Sequence, residues 1–259
     1  MYHRRRCDPG EKASHAGLRA ARELAVAMRV AIFGDIHGWF EPTQQPTIAY
    51  FQEVVAALDC DLMLQVGDMC HYRSLARPVY WIYGNNDWPP AIADIEAGRR
   101  DVKNLRHIKT GQVVTVTRGD EALRIAGLNG AYDPLYSETS EPDPSDPAAA
   151  SFFTRNDVAA MQALQGQPID VLLAHGCPAG LGLGREPDHA VPALRHILDV
   201  LQPGYMFCGH AHFFRHVRHG RTDVYVLAQL VDEYYLLDTV TRHLERIPSR
   251  PLAAARGQP

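Results

Sequence analysis

The chain of 259 residues has no apolar run near the roughly 20 residues that a membrane-crossing helix needs, so no bilayer span is expected. It has no basic excess either. Its 26 lysines and arginines face 30 aspartates and glutamates, for a formal net charge of −4. That balance argues against a general nucleic-acid or anionic-membrane surface, while leaving room for a locally basic groove. Cysteine is scarce and odd in number: Cys7, Cys60, Cys70, Cys177 and Cys208 fall at spacings that make no disulfide framework. A reducing compartment, the cytoplasm, is the expectation. The amino terminus opens Met1-Tyr-His-Arg-Arg-Arg, but Cys7 to His15 is polar, and without an apolar stretch to follow the basic start this segment is not expected to act as a secretory signal. There is no internal repeat.

What is present suits a globular domain. Hydrophobic residues make up 46% of the chain, enough for a sizeable core. Short apolar runs alternate with helical spacing, an α/β pattern. Strands are expected at Val30–Phe33, Leu62–Val66, Val79–Tyr83, Val113–Val116, Leu123–Leu128, Ile169–Ala174, Met206–Cys208, Asp223–Leu227 and Tyr234–Leu237. Gly119-Asp120 marks a hairpin turn. Helices are expected over Pro46–Leu58, Phe153–Leu164 and Val191–Leu201. Residues 1–27 read as an extension, flexible or forming one short helix, with Met28 directly before the first strand. One domain is expected over 28–247, then a loose tail over 248–259 rich in Pro, Ala and Arg. Residues 133–152 are rich in Pro, Ser and acidic groups, and Asp133 to Ala150 holds no basic residue. This segment contributes little core and is read as a long loop or lid.

Five of the strands end in side chains of metal-ligand type: Asp35-x-His37, Gly67-Asp68, Gly84-Asn85-Asn86-Asp87, His175 and Gly209-His210-Ala211-His212. Sites in open α/β sheets form beyond the carboxyl ends of strands. A glycine before a ligand allows backbone angles that other residues avoid. Each piece alone is common, since an Asp-x-His is usually a surface turn and a lone histidine is usually a satisfied one. All five together, each at a strand end, point to one rim. Carboxylates, imidazoles and an amide oxygen suit borderline divalent metals such as manganese, iron, zinc, cobalt or nickel. Two such ions about 3.5–4 Å apart clamp a phosphoryl group, and a shared carboxylate holds them together. Asp68 is the candidate for that carboxylate.

This order of residues resembles the calcineurin-like metallophosphoesterase family over Arg29 to about Leu237. The resemblance implies a four-layer αββα sandwich with two mixed sheets, and two divalent cations, manganese first among the candidates. It implies that Asp35, His37 and His212 hold one ion, that Asn85, His175 and His210 hold the other, and that Asp68 bridges. Ile169 to Pro178, the run Leu201 to His210, and Gly127-Leu-Asn-Gly-Ala-Tyr132 before a long loop are similar in layout to the lariat-debranching branch.

One position departs from the family. Asn86 stands where most members carry a histidine, which is usually assigned to stabilising the transition state or protonating the leaving group. An amide donates a hydrogen bond but supplies no proton. A general acid contributes about 10²–10⁴-fold, so its loss falls hardest on esters with poor leaving groups. His71 is a candidate substitute acid, with a solvated loop histidine as the alternative. Arg73 is a candidate phosphate clamp, with a surface ion pair as the alternative. Asp87 is expected to orient a ligand or loop through hydrogen bonds. Cys70, Cys177 and Cys208 are read as small buried side chains. Trp39, Trp88, Tyr132, Phe152 and Phe153 are read as core or lid packing.

The expected function is hydrolysis of phosphodiesters by a metal-bridging hydroxide. Phosphomonoesterase is the alternative within the enzyme class. A non-catalytic binding scaffold, resembling a retromer subunit on this fold, is the alternative outside it. The expected substrate is a small phosphate ester, with nucleotides among the candidates. The acidic segment disfavours long nucleic acid.

Overall fold

Strand β1 (Arg29–Phe33) carries apolar side chains on both faces, with Val30 and Ile32 in one core and Ala31 and Phe33 in another. Such a strand belongs in the middle of a covered sheet. The computed structural model describes residues 28–184 and 190–252; the extension expected over 1–27 lies outside them. After β1 come a short hairpin of β2 (Trp39–Phe40) and β3 (Gln45–Pro46), then α1 (Thr47–Ala57), β4 (Leu62–Val66), β5 (Val79–Ile82), α2 (Pro89–Glu96) and β6 (Leu105–His107). The hairpin of β7 (Val113–Arg118) and β8 (Glu121–Leu128) follows, turning at Gly119-Asp120 as expected. The second half holds α3 (Pro134–Ser137), α4 (Arg155–Gln162), β9 (Val171–Ala174), α5 (Pro192–Leu201), β10 (Tyr205–Cys208), β11 (Arg215–His219), β12 (Thr222–Val226), β13 (Glu233–Asp238) and β14 (Leu244–Pro248).

The strands form two six-stranded mixed sheets, ordered β14-β13-β1-β4-β5-β6 and β11-β12-β10-β9-β8-β7. In the first, β1, β4, β5 and β6 run parallel, and β13 runs antiparallel to both its neighbours, β1 and β14. In the second, β8, β9, β10 and β12 run parallel, with β7 and β11 antiparallel at the edges. The sheets stack through Ile32, Leu64, Val66 and Ile82 from one and Ile125, Leu173 and Phe207 from the other. Helices α1 and α2 cover the outer face of the first sheet through Phe51, Val55 and Ile92. Helices α4 and α5 cover the second through Met161, Leu194, Ile197 and Leu198. Each such side chain contributes about 1.5–3 kcal/mol on burial. The architecture is the expected four-layer αββα sandwich.

The differences from expectation lie at edges and ends. Helix α2 opens on Pro89-Pro90 and buries only Ala91 and Ile92, so its apolar stripe is too short to read. Strand β11 (RHVRH) is an edge strand whose one apolar residue is Val217. The tail was expected to loosen at Pro248, but Pro248 closes β14. The Ser249 N–H then bonds Asp232 O (2.9 Å), and Arg250 exchanges two backbone bonds with the Tyr50 hydroxyl, at 3.0 and 3.1 Å. The acidic segment closes on itself. Tyr136 stacks on Phe152 with ring centroids 4.8 Å apart and donates to Asp146 Oδ2 (2.8 Å), while residues 138–145 stay exposed.

Candidate metal centre

The loops after β1, β4, β5, β9 and β10 converge at the carboxyl ends of both sheets. Close approach, more than unusual backbone angles, explains the glycines. Gly67 has φ +100°, but Gly34, Gly84 and Gly209 have ordinary φ. A Cβ on Gly84 would lie 2.6 Å from His175 Nε2 and collide with the Asp68 carboxylate, so this strand end can pass the ligands only as glycine. The left-handed backbone falls on the ligand-type residues themselves: Asp68 (φ 59°), His210 (φ 65°) and His212 (φ 61°). Such conformations cost of order 1–3 kcal/mol each and gather at functional sites.

Two groups of donor atoms result, each within 4.8 Å: Asp35, His37 and His212, and Asp35, Asp68 and His175. In the first, His212 Nε2 lies 2.8 Å from Asp35 Oδ2, and the Nε2 atoms of His37 and His212 face each other at 3.3 Å. Asp35 belongs to both groups, and Asp68 Oδ2 of the second lies 3.8 Å from His37 Nε2 in the first and 3.3 Å from His175 Nε2. His210 sits alongside, its ring centroid 5.1 Å from that of His175 and its N–H donating to Asp35 Oδ1 (3.0 Å).

Two buried atoms test whether these residues fit a cation. His175 Nδ1 lies 2.9 Å from the Val66 carbonyl and donates to it, so Nε2 is the nitrogen left to bind either a proton or a metal ion. That Nε2 and the Asn85 Oδ1 are both buried without a hydrogen-bond partner. Two unpartnered polar atoms beside two buried carboxylates are costly unless a cation meets them. The nitrogen and oxygen donors fit a borderline divalent metal.

The electrostatics agree. Burial would raise the Asp35 carboxyl, but hydrogen bonds from His212 and His37 hold it well below the usual carboxylate range. Asp68 is likewise lowered, burial being outweighed by the charge and hydrogen bond of His175. Burial pulls His175 down, yet Asp68 and Asp35 raise it to about 10. His37 is raised by its bond to Asp35, and His210 is lowered by burial and by the charge of His175.

Asn86 is exposed at the rim and holds Asp68, its N–H on Oδ1 (2.9 Å) and its side-chain amide on Oδ2 (2.6 Å). Asp87 lies beneath, buried. It accepts the N–H groups of Asp68 (2.8 Å), Met69 (3.2 Å), Cys70 (2.8 Å) and Gly84 (2.9 Å), and the Tyr72 hydroxyl (3.0 Å). Burial raises its pKa, and the bonds from Gly84 and Cys70 pull against that. One carboxylate thus ties the turn after β4 to the turn after β5. His71 and Arg73 are exposed, and neither has a described side-chain bond to a ligand-type residue. Cys177 and Cys208 are buried, whereas Cys70 is half-buried with its thiol on the Asn86 carbonyl (3.3 Å).

Sequence reasoning missed two glutamines. Gln65 is buried in β4, and its amide spans Gly67 N (3.0 Å), Gly67 O and Gly34 O (3.4 Å), bracing the turns before Asp68 and Asp35. Gln229 Nε2 lies 3.3 Å from His37 Nε2 and 3.5 Å from His212 Nε2. A glutamine inside an apolar run was the available signal for both, in Leu62–Val66 and in Val224–Val231. Two aromatic residues expected to pack do not. Trp39 is 48% exposed because alternation along β2 turns Phe40 inward, and Trp88 is 53% exposed ahead of α2.

A cleft of about 320 Å³ opens over the groups, lined by Asp68, Asn86, Cys177, Ala211, His210 and His212, with Gly184 at its edge. No helix among the described residues is long and apolar enough to cross a membrane.

Comparison with known proteins follows the same lines. A lariat debranching enzyme of Entamoeba histolytica is 25% identical over 245 residues, covering 78% of this chain and 68% of that one. A Thermus thermophilus protein shares the fold with a TM-score of 0.59 at 16% identity, over 87% of this chain and 100% of its own. A Staphylococcus aureus protein described as a 5′-nucleotidase does so with a TM-score of 0.56 at 14% identity, over 86% of this chain and 53% of its own. The profile of the calcineurin-like phosphoesterases matches residues 28–214, a span that contains every ligand-type residue from Asp35 to His212, and the chain belongs to that family.

Proposed function

We propose that this phosphoesterase hydrolyses small phosphodiesters with two divalent cations, manganese first, then iron, zinc, nickel or cobalt. The observation that carries the proposal is the position of Asp68 Oδ2 between His37 Nε2 and His175 Nε2, beside the buried Asn85 Oδ1 that has no hydrogen-bond partner. Asp35, His37 and His212 would hold one cation, and Asn85, His175 and His210 the other, with Asp68 shared. When bound, such a pair supplies positive charge to the phosphoryl oxygens and lowers the pKa of water.

The chain's own residues shape the rest. The Asn86 amide gives one N–H to Asp68 and lines the cleft, which leaves its second N–H to donate to a phosphoryl oxygen of a bound ester. It brings no proton, so esters with good leaving groups are favoured. No lysine or arginine is among the described residues lining the cleft. A diester carries one negative charge and a monoester up to two, so the smaller demand suits this wall. The debranching relative supports the same choice, since a lariat branch is a phosphodiester. His71 and Arg73 are assigned no step.

The test is turnover of bis(p-nitrophenyl) phosphate and p-nitrophenyl phosphate by protein loaded with each metal in turn, beside Asp68→Ala. Diester turnover that vanishes together with bound metal in the variant is expected. Strong monoester and undetectable diester turnover would refute the diester preference, and full activity in Asp68→Ala would refute the shared-carboxylate site.

A further inference from the structure

A second cleft, of about 420 Å³, opens on the other side of His210, between Tyr132, Asp133, Gly176 and Val191. It shares His210 with the cleft over the ligand-type residues, and the consecutive residues Gly176 and Cys177 divide between the two. Both lie at the carboxyl ends of β8, β9 and β10. Each falls within the range of about 300–1,000 Å³ that small-molecule sites occupy. A monoester has one organic group to place near the phosphorus, whereas a diester has two.

The walls differ from an ordinary nucleotide pocket. Among the described residues lining either cleft there is no lysine or arginine. The charged side chain of the second cleft is Asp133, fixed by the Leu135 N–H on its Oδ1 (2.8 Å). Tyr132, half-buried with its ring 6.0 Å from that of Phe153, has its hydroxyl 3.4 Å from Glu138 Oε1. A further phosphate on an arm lying here would meet the Asp133 carboxylate, with no lysine or arginine among the described lining residues, while Glu138 beyond Tyr132 is already paired with Arg155 (2.9 Å).

We infer that the substrate is an acyclic diester with a single phosphate, whose two uncharged arms lie in the two clefts on either side of His210. This rests on the diester reading above. Cyclic diesters, with both ester bonds on one arm, leave one cleft unfilled. Chains with a neighbouring phosphate are turned away by Asp133.

The test uses the metal-loaded full chain and one leaving group, p-nitrophenolate, with the second arm varied as methyl, p-nitrophenyl, thymidine 5′ and thymidine 5′ bearing a 3′-phosphate. An arm that buries an aromatic face against Tyr132 should raise kcat/KM over the methyl ester by about 10–100-fold, mostly through KM. Tyr132→Ala should erase that ratio and Tyr132→Phe should keep it. The 3′-phosphate should lower kcat/KM relative to thymidine, and Asp133→Asn, which keeps the cap, should narrow that gap. Diesters turned over with no dependence on the second arm, or a preference for the 3′-phosphorylated arm, would overturn the inference alone. No diester turnover beside monoester turnover would instead overturn the diester reading.

Discussion

Replacing Asp87 should separate the scaffold of the site from its ligands. The carboxylate accepts four backbone N–H groups and one hydroxyl, divided between Oδ2 (Asp68, Met69, Gly84) and Oδ1 (Cys70, Tyr72). Asp87→Ala leaves five donors without an acceptor. An unsatisfied buried donor costs about 1–3 kcal/mol, and water entering the vacated space recovers part, so the loss should be about 3–6 kcal/mol. Asp87→Asn keeps one oxygen. With that oxygen at the Oδ2 position, Tyr72 can rotate to accept from the new amide, and only the Cys70 N–H is stranded. That costs about 1–3 kcal/mol, or roughly 2–12 °C in Tm for a chain of this size. Asp87→Ala releases the Asp68 N–H, so the cation held by Asp68 should bind about 10–100-fold more weakly, as happens when a ligand loses its supporting bonds, whereas Asp87→Asn keeps that bond and should bind the cation close to the native affinity. Thermal melts of metal-free protein and metal titration by calorimetry measure the two effects. Equal losses from Asn and Ala would show that the charge matters and the count of accepted bonds does not. An Asp87→Ala protein with unchanged Tm and unchanged metal affinity would refute the reasoning altogether.

Gly84→Ala places a methyl against His175 Nε2 and Asp68, and metal analysis of the purified variant should show loss of bound cation even where the fold survives. Gln65→Leu removes the amide that joins the Gly34 and Gly67 turns and leaves one N–H and two carbonyls unmet, so chemical denaturation should show a stability loss of about 1–3 kcal/mol for each buried group left unsatisfied. Asn86→His should raise turnover of alkyl esters more than of aryl esters, since it restores a proton donor; an unchanged ratio of the two rates counts against that role. Without metal, stability should fall with rising alkalinity. Burial pulls His175 down but Asp68 and Asp35 raise it from 6.5 to about 10, so its contribution is whole below pH 6.5 and is lost as pH climbs toward 10. Metal affinity should rise over the same window, because the cation displaces that proton. Melts at stepped pH with and without metal measure both, and a flat metal-free profile would contradict the pairing.

The sequence by itself determined the parallel strands and the order of ligand-type residues. β1, β4, β9 and β10 are buried on both faces and so appear as short apolar runs, broken only by Gln65 in β4, and each gives way to a ligand-type polar residue within two positions of its end. It also named Asp35, His37, Asp68, Asn85, His175, His210 and His212, because their types and strand-end places are local properties. Edge elements escaped it. β11 and β14 bury little, and α2 opens with two prolines, so their periodicity is weak and pairing with neighbours creates them. Only tertiary structure decided the close approaches. Gly84 is glycine because Asp68 and His175, 16 residues before it and 91 after it, occupy the space of its missing side chain. Gln65 and Gln229 join the site through contacts across 31 and 192 positions, which no local pattern encodes. The two clefts on either side of His210 likewise exist only where loops from β8, β9 and β10 meet, since a wall needs residues from several strands while a ligand needs only its own.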